Sequence, residues 1–270
     1  MRDIVSPLGK KSVYIDKYDS DLIFLIERSV KREEIGISRE QKLPFYGYDI
    51  INAYEISWLS PNGKPEVSIA EVIYPCSSKY LLESKSLKLY LNSFNNTIFN
   101  SANHVRKTIE YDLSNKLKVK VFVRFLSVHN RVESFVLEGQ NIDEAYSNNF
   151  IHPAITILSD VTVKNEVIYS HLLKSNCPVT FQPDWGTLIV TYSGPKINYC
   201  SFLHYIISLR NLNEFHEQCI EKIYMEIYRS YNPESLEVYG RYSRRGGIDI
   251  NPYRSTKDNK VPKNHRTSRQ

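Results

Sequence analysis

The chain has 270 residues, 41% of them hydrophobic and 24% charged, with a formal net charge of +5. Such a balance excludes disordered and fibrous classes for the bulk of the chain, and the length allows one large domain or two of about 130 residues. No stretch approaches the roughly 18 uncharged apolar residues of a membrane span, and the N-terminal run Leu22–Ile26 is too short for a signal-peptide core, so a cytoplasmic protein is expected. The positive charge first suggests a nucleic-acid binder, but its location argues otherwise. Arg254, Lys257, Lys260, Lys263, Arg266 and Arg269 against Asp258 account for all of it, leaving the first 250 residues neutral. Beyond Pro252 the sequence reads as a solvated, poorly ordered basic tail. The body carries no electrostatic footprint for duplex nucleic acid, and no stable nucleic-acid partner is expected.

The predicted elements begin with a short helix around Asp21 to Lys31. A strand follows over Ile50–Leu59, closed by the turn signal Pro61-Asn-Gly63, then a second strand over Val67–Tyr74. A helix is predicted from Lys85 to Asn96. Leu117–Phe125 largely alternates apolar and charged residues, the pattern of a strand wet on one face. In the second half, strands are expected at Val161–Tyr169 and Trp185–Tyr192, a turn at Ser193-Gly-Pro195, two helices within Cys200–Tyr231, and strands at Leu236–Tyr242 and Ile248–Ile250 around Arg244-Arg-Gly-Gly247. Each half therefore repeats one outline. A faint echo between Tyr90-Leu-Asn-Ser-Phe-Asn-Asn96 and Tyr205-Ile-Ile-Ser-Leu-Arg-Asn211 is what a duplication would leave. Antiparallel hairpins with helices packed on one face, an α+β fold, is the natural architecture.

Four cysteines, Cys76, Cys177, Cys200 and Cys219, show neither C-x-x-C nor zinc-ligand spacing, so no metal is expected. Cys219 falls on an apolar helical stripe with Phe215, Ile220, Ile223, Tyr224 and Ile227 and reads as core. Cys177 lies instead in a polar stretch with no apolar periodicity to bury it. The segment Asn176-Cys-Pro-Val-Thr-Phe-Gln-Pro-Asp-Trp185 sets this thiol seven residues before a carboxylate, with two prolines stiffening the link. Glu83-Ser-Lys-Ser-Leu-Lys-Leu-Tyr90 places hydroxyls and ammonium groups at a helix entrance, where backbone amides favour an anion; Glu83 could equally be a simple cap. Glu214-Phe-His-Glu217 opens another helix. Taken alone, this constellation fits a thiol enzyme without fixing the reaction.

Glu83-Ser-Lys-Ser-Leu-Lys-Leu-Tyr90 matches every position of the signature of the NADPH-dependent 7-cyano-7-deazaguanine reductases, the nitrile reductases of queuosine biosynthesis. Cys177-Pro-Val-Thr-Phe-Gln-Pro-Asp184, Phe215-His-Glu217 and Arg244-Arg-Gly-Gly-Ile-Asp-Ile-Asn-Pro252 resemble that family's other motifs, in the order of its long form. The resemblance implies tandem tunnelling-fold modules: residues 1–145 carrying the signature, 146–254 carrying Cys177, Asp184 and Phe-His-Glu, and a flexible basic tail at 255–270. It implies a homodimer acting on a small deazapurine nitrile, with NADPH as cofactor. Cys177 would be the nucleophile and Asp184 the general acid, its proton held by burial beside Trp185 or Phe181. Leu82, Glu83, Ser84, His216 and Glu217 would bind substrate, and Ser84, Lys85, Arg245 and Gly246 would bind the cofactor. The rival readings are a thiol-dependent nitrile hydrolase, a GTP-cyclohydrolase-like enzyme of the same fold and, outside enzymes, an RNA-binding module acting through the basic tail.

Overall fold

A computed structural model describes residues 15–129, 136–146, 155–258 and 261–270. In chain order these form a 3-10 turn Ser20–Leu22, β1 (Leu25–Glu27), α1 (Ser29–Glu34), β2 (Tyr46–Leu59), β3 (Pro65–Pro75), β4 (Tyr80–Leu82), α2 (Ser84–Asn92), α3 (Ala102–Leu117), β5 (Phe122–Leu126) and β6 (Gln140–Asn141). Then come β7 (Ile157–Asn176), β8 (Pro183–Ile197), α4 (Tyr199–Ser208), a 3-10 turn Leu209–Asn211, α5 (His216–Tyr231), β9 (Ser235–Tyr242) and β10 (Ile248–Ser255). The class is α+β as expected: antiparallel sheets with helices packed on them.

The described residues group into two compact units, each assembled from several stretches: 15–30, 50–129 and 244–249 form one, and the rest the other. The first unit has strand order β5-β3-β2 plus the small antiparallel pair β1-β4. Its turn after β2 closes as predicted, with Gly63 at φ +80° and its amide donating to the Ser60 carbonyl at 2.8 Å. Ile50, Tyr74, Leu87, Phe94, Ile109 and Leu113 are core residues here. Within it, Tyr90 and Tyr18 both donate to Asp112 Oδ2, at 2.6 and 2.7 Å.

In the second unit the order is β10-β9-β8-β7-β6, antiparallel except for β6 along β7. Helix α5 packs against β9, β8 and β7, and α4 against β7. Ile220, Ile223, Tyr224 and Ile227 form the expected apolar stripe of α5, with Cys219 fully buried beside them. A buried ionic cluster lies in this unit: Arg32 and Arg254 both bind Glu221 Oε1 at 2.8 Å, and Arg254 also binds Asp49 at 2.8 Å.

The structure differs from the sequence reading in several places. The helix expected at Asp21 to Lys31 is a 3-10 turn, a three-residue strand and the start of α1. Residues 102–117, given no element, form α3, which takes up the first residue of the predicted strand. Ser193-Gly-Pro195 is not a turn: β8 runs through it, paired with Thr162 and Val163, with Gly194 at φ +142° taking up a register shift. Cys177 is buried, only 3% exposed. The reason is that β7 continues to Asn176 and buries Leu173, Ser175 and Cys177 at period two; the polar Ser175 hides that pattern in the sequence. The tail is not loose at its described end, where Gln270 is buried and hydrogen-bonded to Arg241, Asn251 and Tyr242.

Candidate active site

Cys177 and Asp184 flank one loop because β7 and β8 form a hairpin. In its register Asn176 faces Pro183 and Ser175 faces Asp184. The Cys177 amide donates to the Gln182 carbonyl at 2.9 Å, and the Phe181 amide to the Cys177 carbonyl at 3.0 Å. Phe181 takes the left-handed conformation, φ +57°, which lets the loop close. The seven-residue spacing is thus a hairpin tip, with thiol and carboxylate each one step from the last paired residues. Along β8, Asp184 and Gly186 are buried while Pro183 and Trp185 are exposed, so the pleat turns the carboxylate inward. Asp184 is buried at 7% exposure, while Phe181 is 67% and Trp185 36% exposed.

A second tether brings Phe215-His-Glu217 to the same tip. The Asn176 amide donates to the Leu212 carbonyl at 2.8 Å, and the Glu214 amide returns to the Asn176 carbonyl at 3.1 Å. Lys174 Nζ ties Asn176 Oδ1 to the Arg210 carbonyl, at 2.7 and 2.6 Å. The chain before α5 is thereby zipped onto the end of β7, one residue from the thiol. Phe215 is the N-cap, and the Gln218 side chain accepts its amide at 3.2 Å. His216 and Glu217 then open the helix, Glu217 buried. His216 Nε2 stands 3.4 Å from Asp184 Oδ2. On its other side the imidazole lies flat on the Tyr242 ring, with centroids 3.8 Å apart and planes 2° apart. Tyr242 is a site residue that the sequence reading missed. Its only sequence signal is a glycine next but one before it, Gly240, and a second, Gly186, opposite it in the ladder; a Cβ at either would come within about 3 Å of the ring.

The signature segment sits in the first unit. Glu83 caps α2, its two carboxylate oxygens accepting from the Lys85 and Ser86 amides at 2.8 and 2.7 Å, so the cap reading of this residue is realised. Leu82, in β4, is buried. Ser86 accepts from the Phe24 amide at 3.0 Å, and Leu87 and Tyr90 enter the core. Ser84, Lys85 and Lys88 are half-buried on the remaining face. The motif therefore divides into residues that build the helix and residues turned outward. Arg245 and Gly246 belong to the same unit, in a turn closed by the Arg245 amide on the Ile248 carbonyl at 2.9 Å. Gly246 and Gly247 have φ +59° and +78°. A Cβ on Gly246 would meet the Lys88 side chain at 3.3 Å, and one on Gly247 the Glu55 carboxylate at 2.4 Å. A cavity of about 170 Å³ is lined by Lys88, Asn92, Gly246, Gly247 and their neighbours.

Both stretches are similar to known proteins. Residues 14–125 match the family model described as nitrile reductase, 7-cyano-7-deazaguanine-reductase N-terminal, and residues 183–261 match that described as QueF-like protein. The NADPH-dependent 7-cyano-7-deazaguanine reductase of Rickettsia typhi is 49% identical over 270 residues, covering 98% of both chains. Those of Coxiella burnetii and Polaromonas sp. are each 46% identical over 272 residues, covering 98% of this chain and 96% and 98% of theirs. The chain belongs to the 7-cyano-7-deazaguanine nitrile reductase family. Among the described residues of this reductase, no helix is long and apolar enough to cross a membrane.

Proposed function

We propose that the chain reduces the nitrile of 7-cyano-7-deazaguanine to the primary amine 7-aminomethyl-7-deazaguanine, a four-electron reduction in queuosine tRNA modification that uses two NADPH and passes through an adduct on Cys177. The observation that carries this reading is the hairpin tip, where a buried thiol and a buried carboxylate flank one loop and the carboxylate faces His216. A nitrile carbon is a weak electrophile, and covalent catalysis splits its reduction into easier steps. The Cys177 sulfur, as thiolate, adds to that carbon; a carbon–nitrogen π pair moves to nitrogen, which takes a proton from the Asp184 carboxyl group. The product is a thioimide. Since thiol and nitrile together hold all its atoms, the proton released by Cys177 suffices to restore Asp184, and the His216 ring nitrogen beside it can carry that exchange. Burial of Cys177, Asp184 and Glu217 limits water at the point where an imine must survive.

His216, Glu217, Glu83, Leu82 and Ser84 are assigned to the substrate. A buried carboxylate offers acceptors only and rejects ligands that leave it unmatched, which suits the donor edge of a deazaguanine. Glu83 keeps lone pairs beyond those its cap uses.

For NADPH, the residues present fit. The turn's two positive-φ glycines pack on Lys88 and Glu55 and set main-chain groups beside a cationic side chain, the kind of backbone concavity that takes a phosphate. Ser84, Lys85, Arg245 and Gly246 would hold it, the cations suiting the 2′-phosphate. When bound, NADPH would supply the two hydrides; between them the carbon–sulfur bond breaks and returns Cys177 as thiolate, and two protons drawn from solvent in all complete the amine and restore the thiol. Two modules, 1–145 and 146–254, a homodimer, a cytoplasmic setting and no stable nucleic-acid partner complete the proposal.

Purified protein mixed with 7-cyano-7-deazaguanine and NADPH should consume two NADPH per nitrile, read from the loss of near-ultraviolet absorbance. Nitrile hydrolysis with no NADPH consumed would instead establish the thiol hydrolase.

A further inference from the structure

The segment 261–270 grips the strands beneath Asp184 and His216. Arg269 Nη2 donates to the Gly186 carbonyl and to the His171 carbonyl, both at 2.8 Å, tying β8 to β7. Next to it, Gln270 Nε2 donates to the Tyr242 carbonyl at 3.1 Å and to Asn251 Oδ1 at 2.7 Å, tying β9 to β10. Gln270 Oε1 accepts from Arg241 at 2.9 Å. Gly186 and Tyr242 are direct partners in the β8–β9 ladder. Two consecutive residues therefore hold the carbonyls of one cross-strand pair. That pair is not arbitrary: Gly186 lies two residues past Asp184, and the Tyr242 ring carries the His216 imidazole. Gly186 also leaves the space the ring occupies, since a Cβ there would stand 3.2 Å from it.

We propose that Arg269 and Gln270 are positioning residues for the reaction, clamping the Gly186–Tyr242 pair so that Tyr242 fixes the plane of His216 and holds its Nε2 against Asp184. The inference rests on the reading of Asp184 as proton donor. Neither residue touches the reacting atoms. Their contribution is to geometry, and small displacements of a catalytic group cost roughly up to a hundredfold in rate. The sequence places both in a basic stretch that looks like solvated tail, yet Arg269 uses one nitrogen for two main-chain carbonyls, and Gln270 is buried.

The informative variant is Gln270→Glu, which keeps the acceptor for Arg241 but loses the donor to the Tyr242 carbonyl and sets a carboxylate against it. Arg269→Ala and the double variant complete the series, and Arg269→Lys tests rescue because an ammonium can still reach one carbonyl. Two measurements are made on the full chain. In the first, imidazole proton shifts of His216 are followed by nuclear magnetic resonance without any ligand. The parent should show the upfield shift of a ring stacked on tyrosine, and Gln270→Glu should lose most of it. In the second, thioimide formation from 7-cyano-7-deazaguanine without NADPH should slow roughly ten- to a hundredfold in the same variants. Nitrile affinity should stay within about twofold and the pH profile of the rate should change, with Arg269→Lys faster than Arg269→Ala. Unchanged His216 shifts in the double variant overturn the clamp whatever the enzyme does. So does a parental pH–rate profile in a variant whose shifts have moved. A parent that forms no thioimide refutes the nitrile-reductase reading instead, leaving the shift measurement to decide the clamp.

Discussion

His216 Nε2 and Asp184 Oδ2 stand 3.4 Å apart, although β8 supplies one and the first turn of α5 the other. The β7 end holds both: Ser175 is the ladder partner of Asp184, and Asn176 next to it binds Leu212 and Glu214 just before α5. Asp184→Asn keeps the shape of this arrangement and removes its proton. General acids contribute about 10²- to 10⁴-fold, so thioimide formation should slow by at least about 10²-fold while nitrile binding stays near that of the parent. Stopped-flow absorbance of the adduct measures the first quantity, and equilibrium titration the second. An adduct that forms at the parental rate would end the assignment of Asp184 as donor.

Cys177→Ala removes the nucleophile, and no other described cysteine lies at the hairpin tip; the expected result is loss of both turnover and adduct. Intact-mass analysis after soaking with 7-cyano-7-deazaguanine should show one added nitrile on the parent and none on the variant. Cys177→Ser should behave like alanine, since a hydroxyl is a far weaker nucleophile than a thiolate near neutral pH.

Lys85 sits on the outward face of α2, two residues past the Glu83 cap, in the unit that carries the Arg244–Gly247 turn. A charge-assisted hydrogen bond to phosphate is worth about 1.5–3 kcal/mol. Lys85→Ala should therefore raise the KM for NADPH by roughly tenfold or more and leave the nitrile KM within about twofold. Steady-state kinetics with each substrate varied in turn separates the two. Equal rises in both constants would mean that Lys85 supports the fold of the motif rather than the cofactor.

Much of this site was legible as residue types and little of it as geometry. The turn at Pro61-Asn-Gly63 and the apolar stripe of α5 came directly from pattern, because each is set by local sterics and by one buried face. The motifs Glu83–Tyr90, Cys177–Asp184 and Phe215–Glu217 were visible as chemistry. Burial of Cys177 was not, because Ser175 occupies an inward position that a hydrophobicity pattern scores as outward. Helix α3 was missed for a related reason: polar and charged residues fill most of its surface, and its apolar core contribution rests on Val105, Ile109, Leu113 and Leu117. The docking of Arg269 and Gln270 had no local signal at all. Besides Arg266 and Thr267 nearby, its partners lie 19 to 98 positions away, which composition cannot encode.

Glu221 joins Arg32 and Arg254 in the interior of the second unit, with Asp49 completing the cluster. Removing one partner of a buried ionic set strands the others, at about 3–5 kcal/mol. Glu221→Ala should lower Tm by on the order of 10 °C, seen by calorimetry, whereas Glu221→Gln should lose less because its amide oxygen still accepts from one guanidinium. Parental stability in Glu221→Ala would show that Asp49 alone neutralises both arginines.

Cys219 gives the fold a pH dependence with a definite sign. Burial pushes its thiol up to about 12, with the Tyr242 hydroxyl partly opposing the shift. An unfolded chain exposes that thiol at the ordinary value of about 8.5. Folding thus favours the protonated form, and the associated stability is complete below the unfolded value and declines as pH rises through the window toward 12. The slope in that window is about 1.4 kcal/mol per pH unit for one such group. The buried hydroxyl of Tyr242, also raised by desolvation, adds a loss of the same sign starting near pH 10. Urea unfolding of the parent between pH 8 and 10.5 should show stability falling, and Cys219→Ala should be less stable at pH 8 but lose less on going alkaline. Equal slopes in the two proteins would mean that the thiol reaches solvent in the native state.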